Sequence, residues 1–160
     1  MVQFYLLTLV FIVVDRFAKL FAINVLRDLP NGIVLVPDWF KLMYAENLGI
    51  AFGLRLLPPE GILLLALAIS AGLTWYVWIS QNRSPLFILT FALILGGGLG
   101  NLIDRLIFGH VVDFIYFDIY QGTLFGKYVS LWPIFNIADA CITIGACLLF
   151  FFHDKIFNPR

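Results

Sequence analysis

Charged residues are sparse along this chain, and the apolar blocks between them predict its elements. Ile62 to Ile79 gives 18 consecutive uncharged residues and Ser84 to Ile103 gives 20. As α-helices these blocks span about 27 to 30 Å, close to the thickness of a bilayer's hydrocarbon core. The polar connector Ser80-Gln81-Asn82-Arg83-Ser84-Pro85 predicts an antiparallel hairpin, with Pro85 in the first turn of the second helix. Met1 to Val14 carries no charge, and the block continues through Asp15, Arg16 and Lys19 to Ile23. It has no basic start, and charges occupy the place where a signal cleavage site would lie, so it reads as a retained first helix. From Tyr128 to His153 Asp139 is the single formal charge in 26 residues, and Pro133 marks a helix start.

The expected fold is therefore an all-α membrane protein, one domain over residues 1–160, with four transmembrane helices at about 3–23, 61–80, 85–106 and 133–153. Both termini then share one side, with segments 24–61 and 108–131 on the other. Counting cations leaves the orientation open: Arg83, Lys155 and Arg160 face Arg27, Lys41, Arg55 and Lys127 across the bilayer. After the first helix, a turn at Pro30-Asn31-Gly32, a β-branched run to Pro37 and the mixed stretch Asp38 to Tyr44 predict short strands, a small β-like element at the interface. Trp39, Phe40, Tyr44, Phe52 and Leu56-Leu57 place an apolar layer near headgroup level. Such a segment either lies on the bilayer or covers a substrate.

Composition agrees. The chain is 62% apolar and 12% charged, with a mean hydropathy of +0.98, against about 25% charged in a soluble domain. Ten basic residues balance ten acidic ones and are scattered singly, which offers no track for a nucleic-acid backbone. Cys141 and Cys147 fall on different helix faces and read as unpaired small core residues.

Acidic groups within apolar helices default to a functional reading once local counter-charges are accounted for. Asp15 and Lys19 stand at i and i+4, so they can neutralise each other. Asp104 precedes Arg105 and follows Asn101 by three, which suits a structural hydrogen-bonded network. Asp113 and Asp139 have no adjacent cation. The third helix ends and the fourth begins on one side, so these two acids can converge. Two carboxylates in a partly desolvated site do not both ionise readily; one keeps a proton while the other activates water. The alternative reading is a pair of polar anchors capping helix ends.

Other chemistries have less support. The two histidines, His110 and His153, fall on opposite sides and no His-Glu-x-x-His occurs, so neither a metal nor another cofactor is expected. A serine or cysteine nucleophile lacks a matching histidine base. Gly96-Gly97-Gly98-Leu99-Gly100 suits a close helix crossing or a substrate groove. Asn101 with Arg105, and Asn136 with Asp139, are spaced for supporting hydrogen bonds. Asn47-x-Gly49 opens a glycine-hinged loop on the side of the two acids. A small transporter or assembly factor with relay carboxylates is the competing class.

Joined together, Asp15-x-x-x-Lys19, Asn47-x-Gly49-x-Ala51-Phe52-Gly53, Gly97-Gly98-Leu99-Gly100-Asn101-Leu102-Ile103-Asp104-Arg105, Gly109-His110-Val111-Val112-Asp113-Phe114 and Phe135-Asn136-Ile137-Ala138-Asp139 closely resemble the bacterial lipoprotein signal peptidases. The resemblance implies a four-helix aspartyl endopeptidase of the bacterial cytoplasmic (inner) membrane, multi-pass, with cytoplasmic termini and an extracytoplasmic active site. The implied substrates are signal peptides of diacylglyceryl-modified prolipoproteins, met among membrane lipid and cleaved before the lipidated cysteine. Globomycin-type cyclic peptides are the implied inhibitors. The family's catalytic aspartates fall on Asp113 and Asp139, and its supporting positions on Asp15, Lys19, Asn47, Gly49, Asn101, Asp104, Arg105 and Asn136. The strand-like segment resembles the family's extracytoplasmic cradle. Arg16 and Ala18 stand where the family often has Gln and Thr or Ser.

Overall fold

A computed structural model describes residues 1–49, 57–119, 121–124, 127–130 and 132–158. Helix α1 (Val2–Phe21) runs into a π-helical turn at Ala22–Leu26, α2 spans Pro59–Ile79, α3 Pro85–Phe108 and α4 Ile137–Phe151, and a short α5 (His153–Phe157) follows. The strands are β1 (Ile33–Val36), β2 (Phe40–Asn47), β3 (Val111–Phe117), β4 (Gln121–Leu124) and β5 (Lys127–Ser130). Both α2 and α3 have the length and hydropathy to cross a bilayer. The apolar side chains Leu64, Leu65, Ile69, Trp75 and Trp78 of α2 stay exposed, as on a helix whose solvent is lipid.

Helix α3 is the centre of the bundle, and α1, α2 and α4 all pack on it. Ser84 caps its start by accepting the Phe87 N–H at 3.4 Å, and Pro85 occupies the first turn. The glycine run settles as close helix crossing. A Cβ on Gly96 would stand 2.8 Å from the Phe11 Cβ of α1, one on Gly97 would meet the Ala138 carbonyl of α4, and one on Gly100 would lie 2.7 Å from the Asp15 carboxylate. Among the described residues Gly98 faces only Ser70 of α2, at 3.8 Å. At the end of the bundle holding the termini, Phe4, Val77, Phe87, Phe91 and Ile156 form one buried cluster. At the other end Ala22, Leu26, Val112 and Phe114 join the sheet to the exit of α1.

Three expectations are corrected. The fourth helix begins at Ile137 rather than near 133, because Asn136 caps it and Phe135 is bonded to a strand. The segment after α3, read without strands, supplies β3 and the antiparallel β4–β5 hairpin. The three-stranded sheet, in the order β1-β2-β3, thus joins residues far apart in sequence and the fold is not wholly helical. Cys141 is buried, but Cys147 is exposed instead of sitting in the core. Ile50 to Leu56, including Phe52 and Arg55, lie outside the described residues, as do Leu131 and Arg160.

Candidate active site

The site begins with backbone pairing. Residues Lys41 and Leu42 of β2 face Tyr116 and Ile115 of β3, but a bulge before Ala45 shifts the register, so Ala45 faces Asp113 and Asn47 faces Val111. A one-residue shift exchanges the faces of a strand, and it brings Asn47 to the acid. The Asn47 amide donates to Asp113 Oδ2 at 3.0 Å, and its Oδ1 accepts the Gly49 N–H at 2.9 Å. Arg105 holds the same turn by donating to the Gly49 carbonyl at 2.9 Å.

The free edge of β3 decides the convergence. Phe135 N–H donates to the Ile115 carbonyl at 3.0 Å, and the Phe135 carbonyl accepts from Ile115 N–H at 2.8 Å and Phe114 N–H at 3.0 Å. The first residue beyond this bridge is Asn136, the cap of α4. Its Oδ1 accepts the Asp139 N–H at 2.9 Å, and its own N–H donates to Asp139 Oδ2 at 3.3 Å, a reciprocal capping box. Its side-chain amide donates to Asp113 Oδ1 at 2.6 Å. One residue therefore binds both carboxylates, although 26 positions separate the two acids in sequence. Asn101 completes the set by donating to Asp139 Oδ1 at 2.7 Å while its Oδ1 accepts from Asn136 at 3.1 Å.

Asp113 is 2% exposed, whereas Asp139 is half-buried. Burial, and after it the charge of Asp139, push the Asp113 carboxyl up to about 7. Hydrogen bonds from Asn47 and Asn136 and the charge of Lys19 oppose that rise.

Directly behind this pair lies a compensated ionic cluster. Lys19 Nζ donates to Asp15 Oδ2 at 2.9 Å, Asp104 Oδ2 at 2.8 Å and Asn101 Oδ1 at 2.9 Å. Asp15 also accepts the Ala138 N–H of α4 at 2.8 Å. Asp104 does not pair with its neighbour Arg105, as sequence proximity suggested; consecutive helical residues point about 100° apart. Its partners are Arg16 at 2.6 Å, Lys19, and the Val112 N–H of β3 at 3.1 Å. Arg16 was not among the predicted site residues. The available signal was a guanidinium within an apolar helix, which needs a counter-charge as much as an acid does. Ala18, in place of a hydroxyl residue, packs on the second apolar cluster and needs no hydrogen bond there. His110 stands 3.7 Å from Glu46 on β2.

The bundle is that of a membrane enzyme. A solved structure described as a bacterial membrane enzyme superposes with a TM-score of 0.79 at 26% identity, covering 97% of this chain and 94% of that one. The profile of the family described as Signal peptidase (SPase) II matches residues 7–154. The lipoprotein signal peptidase of Chlorobaculum tepidum is 64% identical over 160 residues, all of this chain and 99% of that protein. That of Pelodictyon phaeoclathratiforme is 55% identical over 154 residues, or 96% of this chain and 91% of the relative. The chain belongs to the signal peptidase II family, aspartic endopeptidases that remove signal peptides from prolipoproteins.

Proposed function

We propose that Asp113 and Asp139 are the catalytic pair with which this peptidase hydrolyses the bond before the diacylglyceryl-modified cysteine of a prolipoprotein. The observation that carries the proposal is their shared attachment to Asn136, with asparagine amides rather than cations as hydrogen-bond donors among the described residues. Asp113, with its proton affinity raised, is the acid, and the more accessible Asp139 is the base. Asp139 takes a proton from water as the water oxygen attacks the scissile carbonyl, and Asp113 gives its proton to the carbonyl oxygen. The resulting gem-diol collapses when Asp113 recovers a proton from a hydroxyl and Asp139 passes its own to the leaving nitrogen. No covalent intermediate forms.

The chain crosses the cytoplasmic (inner) membrane four times in this reading, with α1 and the shorter α4 joining α2 and α3. Both termini are cytoplasmic and the pair faces the extracytoplasmic boundary, where water meets lipid. That location suits a reaction that consumes water while the acyl chains of the substrate remain in an apolar phase. The β1–β3 sheet then serves as the cradle over the bilayer surface, with exposed Val34, Leu35 and Trp39 at headgroup level. Globomycin-type cyclic peptides would occupy the region of the pair and compete with the precursor. The test is cleavage of a diacylglyceryl-modified precursor in detergent by purified Asp113→Asn and Asp139→Asn. Each variant is expected to stay folded and to lose turnover by about 10²- to 10⁴-fold. Wild-type turnover by either one removes that residue from the pair.

A further inference from the structure

We infer that Arg16 is a positioning residue for the catalytic pair: its ion pair with Asp104 leaves Lys19 free to hold Asn101, and through Asn101 the carboxylate of Asp139. The inference rests on the proposed roles of Asp113 and Asp139. Its geometry is a chain of short contacts running from α1 to the pair. Arg16 Nη1 lies 2.6 Å from Asp104 Oδ1, and its guanidinium carbon sits 5.4 Å from the centre of the Phe108 ring, so the side chain is clamped on two sides. Its side chain is 22% exposed while that of Asp104 is 0% exposed, so Arg16 lids a fully buried acid.

Charge arithmetic gives the contact its meaning. Asp15 and Asp104 supply two negative charges to the cluster, and Lys19 and Arg16 two positive ones. The ammonium of Lys19 has three hydrogens and three acceptors: Asp15, Asp104 and Asn101. Asp104 Oδ2 already takes Lys19 and the Val112 N–H, which leaves Oδ1 to Arg16. Without Arg16, a buried carboxylate oxygen faces no donor and the cluster carries a net negative charge. Lys19 is then drawn towards Asp104 and away from Asn101, whose amide is free to turn from Asp139. The same carboxylate anchors β3 one residue before Asp113, so both acids of the pair feel the change. The surplus negative charge also makes the pair hold its protons more tightly.

Among the described residues, the other ionisable groups around the pair and its cluster are Asp15 and Lys19 of α1, Asp104 and Arg105 of α3 and Cys141 of α4, with His110 and Glu46 at the neighbouring end of β2 and β3. None of them is altered in Arg16→Gln, so a shifted pH profile in that variant reports the lost cation. The experiment measures kcat, KM and the pH dependence of kcat on a lipidated precursor in detergent. Arg16→Gln is expected to lower kcat about tenfold, with KM little changed and the acid limb displaced to higher pH. Arg16→Lys should restore most of the rate. The double variant Arg16→Gln with Asp104→Asn restores neutrality. The amide introduced at position 104 can accept from Lys19 and the Val112 N–H through its oxygen, and donate through its nitrogen to the amide oxygen introduced at position 16. Its kcat should therefore recover relative to Arg16→Gln alone.

A kcat for Arg16→Gln within about twofold of wild type, with a superimposable pH profile, overturns the inference. So does a double variant slower than the single one. If Arg16→Gln does not fold, Arg16→Lys and the double variant decide the question by the same criteria. Asp113→Asn is run alongside. Full activity there sinks the catalytic pair itself, whereas its inactivity beside a normal Arg16→Gln sinks only the role of Arg16.

Discussion

Two groups of carboxylates sit side by side in this protein and are treated in opposite ways. Asp15 and Asp104 are bound by Lys19 and Arg16 and by backbone N–H groups of Ala138 and Val112. Asp113 and Asp139 receive hydrogen bonds from Asn47, Asn101 and Asn136. Cations supply a carboxylate with a counter-charge and fix its place; neutral amides fix the place and supply no counter-charge. Burial alone does not separate the two groups here. The chemical nature of their donors does.

Removing the cation that serves the compensated group does the greatest damage. Lys19→Met leaves two buried acids with Arg16 alone, and is expected to cost about 3 to 5 kcal/mol of stability, read as a fall in the thermal unfolding midpoint in detergent. The amide-held group responds to pH instead. The folded-state pKa of Asp113, about 7, lies above its unfolded value, so folding retains a proton that the unfolded chain releases. Its stabilising contribution is full below about pH 4 and declines as pH rises through 7, a loss of about 2 to 4 kcal/mol. Thermal unfolding across that range should show the decline in wild type and its absence in Asp113→Asn; equal slopes would refute the assignment.

The framework shared by both groups gives a smaller effect. Gly97→Ala drives a methyl into the Ala138 carbonyl beside Asp139, and should cost about 1 to 3 kcal/mol and lower turnover. Smallest is Gly98→Ala, whose new methyl meets, among the described residues, only Ser70 at 3.8 Å. It should change stability by less than about 0.5 kcal/mol, and a large loss would mean that this face of α3 is packed more tightly than the contacts indicate.

Much of this comparison is legible locally. The pairing of Asp15 with Lys19 follows from helical spacing, and the capping box of Asn136 with Asp139 from a spacing of three. Asp113 and Asp139 stand out because no cation adjoins them. The capping reading holds for Asp139, which takes the Asn136 N–H in the capping box of α4 and accepts from Asn101 with its other oxygen, but not for Asp113, which lies within β3. Local reading failed at Asp104, where the adjacent Arg105 drew attention from Arg16, 88 positions away. It also failed at Phe135, an apolar residue after a proline that reads as the opening of a helix and is a bridge to Ile115.

Composition and spacing by themselves determined the solvent of this protein, the courses of α2 and α3, and the family motifs, because apolar run length and helical periodicity are properties of contiguous residues. Only the tertiary structure decided which acid meets which donor distant in sequence. It did so through a bulge in β2, a two-way bridge at Phe135 and glycine contacts that let α1 and α4 close on α3. Those depend on chain segments that approach only when the whole bundle folds, and no local pattern encodes the distance between them.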